Sequence, residues 1–411
     1  MAVDELSPVA TWTVTAANRE PWHRLAHERR RRSAAPLARD VGSGRRVGHD
    51  GAVPDPLRIA YTVEQCWHDV PGGTATAMIE VARRIMARSE DEAIELVGVA
   101  GRHRRPPDDA FRLPIPVVSL PIARPWLYEA WNRIGWPKVE RSAGPFDVCH
   151  STLAIPAATD APHVVTVHDA AFMQTPDRFT AHGARVMRAG LERCREADLI
   201  LCPSRATTGD LADLGFDPSR IRLVPWGVEA VDVTEIDRER VRRKFGLPDR
   251  FVLFVGTVEP RKNLPALASA VARANVDAPL VVAGAAGWGD ASAPDEGARF
   301  VGFVSPADLP ALYSLSSVFA YPSLQEGFGL PVAEAMSYGT PVVTSVGTAT
   351  EEVAAGAAVL VDPLDVDSIA AGIDDAIARA DELRAAGLAR AAVLTWDATV
   401  DATIAAYREV A

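Results

Sequence analysis

Two glutamates eight residues apart, Glu326 and Glu334, enclose a glycine-rich turn in the stretch EGFGLPVAE. Gly327 and Gly329 permit close approach of the backbone to a ligand, and Pro331 suits the first position of a helix. The free amides and positive dipole end of a helix attract a diphosphate, while a carboxylate accepts hydrogen bonds from sugar hydroxyls. The stretch therefore suits a ligand with both groups. The alternative interpretation is that Glu334, in the first helical turn, only complements the helix dipole.

Two adjacent cations, Arg261 and Lys262, lie between a strand and a helix in FVGTVEPRKNLPALASA. Two fixed positive charges can stabilise a departing nucleoside diphosphate, a task that other enzymes give to a divalent metal. We therefore expect neither a metal ion nor a cofactor. A solvated pair of cations at a helix start is the alternative interpretation.

Polar groups also follow the apolar runs of the first half. His168 and Asp169 end the run HVVTVH, at the edge where an α/β sheet collects functional groups, and His150 after FDVC ranks below them. A histidine that only caps the strand end by a backbone hydrogen bond is the alternative. Gly73, in PGG after the first strand, permits backbone amides to approach a phosphate or an acceptor, although such a segment is commonly just a turn.

Short apolar runs alternate with helical stretches from Leu57 onward, which predicts βα units and parallel sheets. The runs of the first half cover residues 57–61, 94–100, 117–120, 146–150, 163–168, 199–202 and 221–225. Those of the second half cover 251–256, 280–284, 299–304, 318–322, 341–345 and 358–361. Near-continuous apolar strands are typical of sheets covered by helices on both faces. We therefore predict two doubly wound α/β domains with a ligand site in the cleft between them.

Composition and charge set the boundaries of these domains. Residues 1–56 are rich in Arg, Ala, Gly and Pro and lack periodicity, so we expect them to be disordered. The other predicted segments are a first α/β domain (57–232), a charged linker (233–250), a second α/β domain (251–395) and a final helix (396–411).

The length, net charge and composition of the chain exclude several classes of protein. A chain of 411 residues is too long for one core. A net charge of −11 argues against a general nucleic-acid binder. We find no apolar run of the ~18 residues needed to span a bilayer and no signal-peptide layout, and the single, scattered cysteines fit reduced packing residues. We therefore expect a cytoplasmic protein.

The motifs together resemble the retaining glycosyltransferases of family four, which have the GT-B fold of two facing Rossmann-like domains. The resemblance runs from Leu57 to the C-terminus, and its most specific element is the Glu-x7-Glu motif followed by AMSYGTPVV. It implies that the first domain (57–232) binds the acceptor and that the second (251–395) binds the nucleotide sugar. It also implies that Glu326 holds the transferring sugar, that Glu334 holds the ribose and that His168 contacts the donor sugar from the first domain.

The resemblance also implies further donor contacts. Lys262 takes the usual lysine position, but Thr257 follows Gly256 where many members have an arginine; EPRKNL resembles a recognised variant in which Arg261 can substitute. The residues implied to bind the donor are Gly73, Gly256, Thr257, Phe303, Val304, Gly327, Phe328, Gly329, Leu330, Pro331 and Glu334. For Phe303 and Val304, whose backbone would read the base, an ordinary strand end is an equal alternative.

The implied reaction is the transfer of a hexose, with retention of configuration, from a nucleoside diphosphate sugar. A mannose-like sugar is favoured, GDP- or UDP-linked, and the acceptor is a glycan, a lipid-linked molecule or a small molecule, as in polysaccharide biosynthesis. A sugar-nucleotide epimerase or phosphorylase on the same fold and a non-catalytic binding subunit are the alternatives.

Three tryptophans alternate with cations in RPWLYEAWNRIGWPK, from Arg124 to Lys138. Trp, Lys and Arg favour the membrane interface, so this segment could meet a membrane surface or a lipid-linked acceptor. A helix packed on the first sheet is the favoured interpretation.

Overall fold

The first half of the chain folds around a parallel sheet. The computed structural model describes residues 55–68, 72–284 and 298–411, so nearly all of the predicted tail lies outside the described residues. The strands of the first half are β1 (Leu57–Thr62), β2 (Ile94–Ala100), β3 (Val117–Ser119), β4 (Val148–Ser151), β5 (His163–Thr166), β6 (Leu199–Cys202) and β7 (Ile221–Leu223). They form one sheet in the order β3-β2-β1-β4-β5-β6-β7.

The centre of this sheet is apolar on both faces. Ile59 of β1 pairs with Leu96 of β2 on one side and with Val148 of β4 on the other, and all three are buried. Branched apolar side chains suit strands that helices cover from both sides. The strand order reverses between β1 and β4, and a crevice opens outside the carboxyl ends of the strands at such a switch point.

The second half repeats the pattern. Its strands are β8 (Val252–Val255), β9 (Leu280–Ala283), β10 (Ala298–Gly302), β11 (Val318–Tyr321), β12 (Val342–Ser345) and β13 (Val359–Val361). They form a parallel sheet in the order β10-β9-β8-β11-β12-β13, with the switch point between β8 and β11. The prediction of two doubly wound α/β halves is confirmed.

Helices connect the strands and cover the sheets. They are α1 (Gly72–Ala87), α2 (Ser89–Glu92), α3 (Trp126–Ile134), α4 (Glu140–Ala143), α5 (Ala171–Gln174), α6 (Ala181–Arg193), α7 (Arg205–Asp213), α8 (Glu235–Phe245), α9 (Leu264–Arg273), α10 (Leu309–Leu315), α11 (Leu330–Ser337), α12 (Ala349–Ala354), α13 (Val366–Ala378), α14 (Ala380–Ala391) and α15 (Trp396–Val410). A short 3-10 turn, Pro260–Lys262, precedes α9 and carries the two adjacent cations.

The charged segment 233–250, predicted to be a linker, contains α8. Its start is a capping box: the Thr234 side chain accepts from the Asp237 amide, and the Asp237 carboxylate accepts from the Thr234 amide. On the next turns Arg240 and Lys244 both pair with Asp308, which precedes α10, with 2.7 Å between the lysine Nζ and Oδ2. These ion pairs fix α8 to the second half.

The final helix, α15, returns to the first half and packs on α1. The Tyr407 hydroxyl lies 2.7 Å from Nδ1 of His150, and both residues are buried. Arg88, the residue after α1, pairs with Asp397 of α15 at 2.7 Å. A buried hydrogen bond and surface ion pairs therefore hold the last segment of the chain on the first sheet.

The chain consequently crosses twice between the halves, before α8 and before α15, and the two crossings touch. The Val228 amide donates to the Leu394 carbonyl at 2.8 Å. A Cβ on Gly227 would overlap the backbone of Trp396. Only glycine fits this close approach of two backbones.

Candidate active site

A cavity of about 880 Å³ is lined by loops from both halves. That volume lies within the range of small-molecule sites. The loops follow β1, β2, β5 and β7 of the first half and β8 to β11 of the second, so they lie at the carboxyl edges of both sheets. Every predicted site residue is part of the lining: Gly73, His168, Gly256, Thr257, Arg261, Lys262, Phe303, Val304, Glu326, Gly327, Phe328, Gly329, Leu330, Pro331 and Glu334.

Glu326 follows β11 and is held by both cations. Its Oε2 lies 2.9 Å from Arg261 Nη1, and its Oε1 lies 2.6 Å from Lys262 Nζ. The carboxylate is nearly inaccessible to solvent, as is the lysine ammonium. The structure thus joins the two motifs into one buried cluster, with each carboxylate oxygen paired to a different cation.

The cluster fixes the protonation of Glu326. Burial alone would raise its pKa, but the charges of Arg261 and Lys262 outweigh burial and lower the pKa to about 2. The pKa of Lys262 is lowered, because burial and the neighbouring Arg261 outweigh its attraction to Glu326. Glu326 is therefore an ionised hydrogen-bond acceptor at neutral pH and a weak base.

Two further residues complete the cluster, and the sequence analysis missed both. Glu259 pairs with Arg261 Nη2 at 2.7 Å, and the Tyr321 hydroxyl bonds with the Lys262 ammonium. Burial raises the pKa of Glu259. The signal for Glu259 in the sequence was a carboxylate two residues before Arg261.

His168 lines the cavity, and both of its ring nitrogens lie on the protein side. Its Nε2 lies 2.8 Å from the Thr152 carbonyl, so it donates there and leaves Nδ1 as an acceptor. Nδ1 is buried and has no hydrogen-bond partner among the residues that the structure describes. Burial lowers the pKa of His168, which favours the neutral ring. Trp226 packs edge-on against the imidazole and also contacts Phe328.

The loops after β5 and β11 meet directly. A Cβ on Gly327 would overlap the carbonyl of His168, so no larger residue fits there without movement of the main chain. The Thr207 hydroxyl lies 3.2 Å from that carbonyl and 3.3 Å from the Gly327 carbonyl. This contact fixes the distance between His168 on one half and Glu326 on the other.

Helix α11 begins one residue earlier than predicted. Gly329, with φ at +95°, precedes it, Leu330 is its first residue and Pro331 its second. Glu334 is therefore the fifth residue, and the predictions that it lies in the first turn and that Pro331 occupies the first position are wrong. The left-handed glycine ends the preceding loop early, so helical geometry starts at Leu330. Glu334 Oε2 accepts from the Tyr313 hydroxyl at 2.7 Å instead.

The remaining predicted residues lie around this centre. Gly73 in α1 faces Leu330, whose Cδ2 would be 4.0 Å from a Cβ on the glycine. Gly256 and Thr257 follow β8, and Phe303 and Val304 follow β10. Val304 is buried, whereas Phe303 is 63% exposed at the rim.

Comparison with known proteins assigns the family. The family model "Glycosyltransferase Family 4" matches residues 71–231, and "Glycosyl transferases group 1" matches residues 236–389. The O-antigen chain mannosyltransferase B of Escherichia coli is 34% identical over 266 residues, which cover 60% of this chain and 70% of that protein. The chain is a family 4 glycosyltransferase.

Other similar proteins agree with this assignment. A D-inositol 3-phosphate glycosyltransferase of Stackebrandtia nassauensis is 30% identical over 86% of this chain and 91% of its own length. The Anabaena HepE structure with UDP and glucose has a TM-score of 0.65 at 17% identity and covers 86% of this chain and 100% of that one. The sucrose-phosphate synthase of Thermosynechococcus elongatus also reaches 0.65, at 19% identity, over 86% and 98%. The predicted GT-B fold and transferase class are confirmed.

The tryptophan-rich segment of this glycosyltransferase contains α3. One of its tryptophans is buried and the other two are exposed to solvent. Trp131 is buried on the first sheet, with its indole nitrogen 3.0 Å from the Pro137 carbonyl. Trp126 and Ile134 are 72% and 70% exposed, and Trp136 is partly exposed. Packing explains one face of α3 and leaves the other apolar face in solvent. No described helix is long and apolar enough to cross a membrane.

Two other predictions of the sequence analysis have structural outcomes. The four cysteines are buried free thiols, as predicted: Cys66, Cys149, Cys194 and Cys202. His150, the lower-ranked candidate, is committed to Tyr407 and to Thr166, whose hydroxyl lies 2.8 Å from Nε2. It lies outside the lining of the large cavity.

Proposed function

We propose that this glycosyltransferase transfers a hexose from a nucleoside diphosphate sugar to a hydroxyl of an acceptor, with retention of anomeric configuration. The observation that carries the proposal is Glu326 held between Arg261 and Lys262 inside the cavity. That arrangement combines an anchored acceptor for sugar hydroxyls with two cations for a diphosphate.

We infer the position of the donor from the chemistry of the lining. The diphosphate lies against Lys262, Arg261 and the N-terminus of α11, where backbone amides and the helix dipole favour an anion. Glu326 accepts hydrogen bonds from the hexose, and the His168 ring borders the same space. The ribose then lies near Glu334, and the base near the backbone of Phe303 and Val304.

The protonation of the cluster supports catalysis without an enzyme nucleophile. Both Glu326 oxygens are occupied by cations and its pKa is about 2, so it is a poor nucleophile and a poor base. The bond from the anomeric carbon to the diphosphate oxygen breaks, and the acceptor oxygen bonds to that carbon from the same face. Its proton passes to the leaving phosphate oxygen. Lys262 and Arg261 stabilise the charge that develops there.

The same two cations make a divalent metal unnecessary in this proposal. The test compares the rate of donor turnover in about 5 mM EDTA with the rate in added Mg²⁺ or Mn²⁺. Equal rates are expected, and a rate that requires the metal contradicts this part of the proposal.

The favoured donor is a mannose-like nucleotide sugar, supported by the similarity to a mannosyltransferase. A UDP-linked sugar is the second candidate, because a structure with the same fold contains UDP and glucose. A panel of GDP- and UDP-sugars, assayed for hydrolysis without acceptor, decides between them. NMR of the product anomer then tests retention.

Variants give the donor assay its controls. Glu326→Ala and Lys262→Ala should abolish turnover of the preferred donor, whereas Arg243→Ala, an exposed cation of α8, should not change it. If no nucleotide sugar is bound or turned over by the unmodified protein, the proposal is wrong. Epimerised donor without release of the nucleotide would indicate the epimerase alternative.

We also propose that the exposed face of α3 contacts a membrane surface, which would bring a lipid-linked acceptor to the site. The support is the group of exposed apolar residues Trp126, Ile134 and Trp136. Flotation with vesicles of anionic lipid should recover the protein, and Trp126→Ala should reduce recovery. Leu364→Ala, which removes an exposed apolar side chain elsewhere, is the matched control. Equal recovery of all three proteins contradicts the contact.

A further inference from the structure

The first half supplies a separate wall of the cavity that the donor contacts do not use. It is formed by Trp67, His68, Pro106, Pro107, Asp108 and Phe111, which we call the acceptor wall. These residues come from the turn after β1 and from the loop between β2 and β3. Aromatic and proline surfaces beside a carboxylate offer both apolar contact and hydrogen-bond acceptors.

The charges on the cavity lining are divided between the halves. Among the described residues, the lysine and arginine that line the cavity are Lys262 and Arg261, which belong to the second half and pair with Glu326. The described lining of the first half contains Asp108 and Asp169 and no lysine or arginine. The acceptor wall thus carries the Asp108 carboxylate and neither a lysine nor an arginine, whereas Asp169 is close enough to Arg261 for their charges to interact.

The histidine of this wall does not offset its acidity. Burial, followed by the charges of Arg124 and His103, lowers the pKa of His68 to about 4. At neutral pH the ring is uncharged, and its Nε2 lies 3.2 Å from the Tyr128 hydroxyl. Arg104 and Arg105 adjoin the wall in sequence and Arg124 acts on His68, but none of the three belongs to the described lining.

Trp67 is held rigidly in the wall. Its indole Nε1 donates to the Arg105 carbonyl at 2.9 Å, and its ring stacks on His103, with 4.3 Å between centroids and 8° between planes. His103 Nε2 in turn lies 3.0 Å from a carboxylate oxygen of the buried Glu64. Glu64 also accepts from the Gly101 amide at 2.7 Å. One indole face is therefore covered, and the remaining surface is fixed towards a ligand.

We propose that the acceptor wall binds an uncharged sugar and discriminates against a phosphorylated one. The apolar face of the sugar ring packs on Trp67, and its hydroxyls donate to Asp108. A phosphate at the same place would meet the Asp108 carboxylate and neither a lysine nor an arginine of the described wall, and like charges brought together at a site oppose binding. The inference rests on the proposed transferase function and adds the class of acceptor.

The test compares matched acceptors in the complete protein. Methyl α-mannoside and methyl α-glucoside are each assayed beside their 6-phosphates, and kcat/KM is measured for all four. We expect the neutral acceptors to be favoured by about 100-fold, the effect of one like charge a few ångströms away at the surface of a protein. Comparable or better use of the phosphorylated acceptors would overturn the proposal.

Variants assign the discrimination to the wall. Asp108→Asn should reduce the preference for neutral acceptors about tenfold, whereas Asp109→Asn, a neighbouring exposed carboxylate outside the lining, should leave it unchanged. Trp67→Ala should raise KM for the neutral acceptors more than it lowers kcat, and Trp67→Phe should restore part of the loss. A preference that is the same in Asp108→Asn and Asp109→Asn contradicts the assignment.

A binding measurement separates this inference from the proposed function. Saturation-transfer NMR of the same four glycosides reports acceptor binding without requiring transfer. Absence of donor turnover would refute the transferase proposal, while the NMR signals would still compare neutral with phosphorylated ligands. Stronger or equal signals from the phosphorylated glycosides, or signals unaffected by Trp67→Ala, would refute the acceptor wall.

Discussion

Replacing Glu326 with glutamine removes one negative charge from a buried cluster of two cations and two carboxylates. The side chain keeps its shape, so the change is mainly electrostatic. Arg261 is left with Glu259, and Lys262 is left without a carboxylate in contact. Breaking a buried ion pair in this way is strongly destabilising, because an uncompensated charge stays in the protein.

The magnitude follows from the pKa of Glu326, which falls from its usual 4.5 to about 2 in the folded protein. That difference corresponds to about 3 kcal/mol of folding free energy when the carboxylate is ionised. Because the folded pKa is the lower one, the contribution is complete above pH ~5 and disappears as the pH falls through ~2. At pH 3 roughly half of it should remain.

The assay is urea unfolding of wild type and Glu326→Gln at pH 7, 5 and 3, followed by tryptophan fluorescence. We expect the two proteins to differ by about 3 kcal/mol at pH 7 and 5 and by about half of that at pH 3. Glu235→Gln, at an 84% exposed position, is the control and should differ by less than about 0.5 kcal/mol at every pH. A gap below about 1 kcal/mol at pH 7, or one that does not shrink at pH 3, would refute this reasoning.

Three further substitutions test other parts of the structure. Lys262→Met should lower kcat for donor turnover by about 100- to 1,000-fold with a smaller change in KM, which steady-state kinetics would measure; an unchanged kcat contradicts its role. Gly327→Ala should destabilise by about 1–3 kcal/mol in urea unfolding, whereas Gly209→Ala, with nothing within 4 Å, should be neutral or slightly stabilising. Tyr407→Phe leaves the buried Nδ1 of His150 without its hydroxyl partner and should cost about 1–3 kcal/mol, seen as a lower Tm.

The fold could be predicted from the sequence because each strand is recognisable there as a short apolar run. Buried parallel strands are continuous apolar runs, so each predicted run overlaps a strand of one of the two sheets. The boundaries of the helices were harder to predict. The start of α11 depends on the left-handed conformation of Gly329, which residue types alone do not specify. That single torsion moved Glu334 out of the first turn.

The site was predictable where its residues lie in short motifs. Glu326, Lys262 and His168 each follow a strand, and the fold gathers such positions at one edge. The direct pairing of Glu326 with both cations was not predictable, because it joins segments more than 60 residues apart. Trp67 and Asp108 lack any local pattern, and only the assembled cavity places them beside the donor site.

The paired crossings also determine how the protein can be divided. Because α15 closes the first sheet while its sequence follows the second, the first half is discontinuous along the chain. A fragment that ends before α8 would expose the surface beneath α15 and leave His150 without Tyr407. Joining α15 directly to the end of the first half should produce a separately folding fragment, while residues from α8 to α14 carry the second sheet. In the intact chain, a rotation of one half against the other must pivot near the hydrogen bond between the Val228 amide and the Leu394 carbonyl.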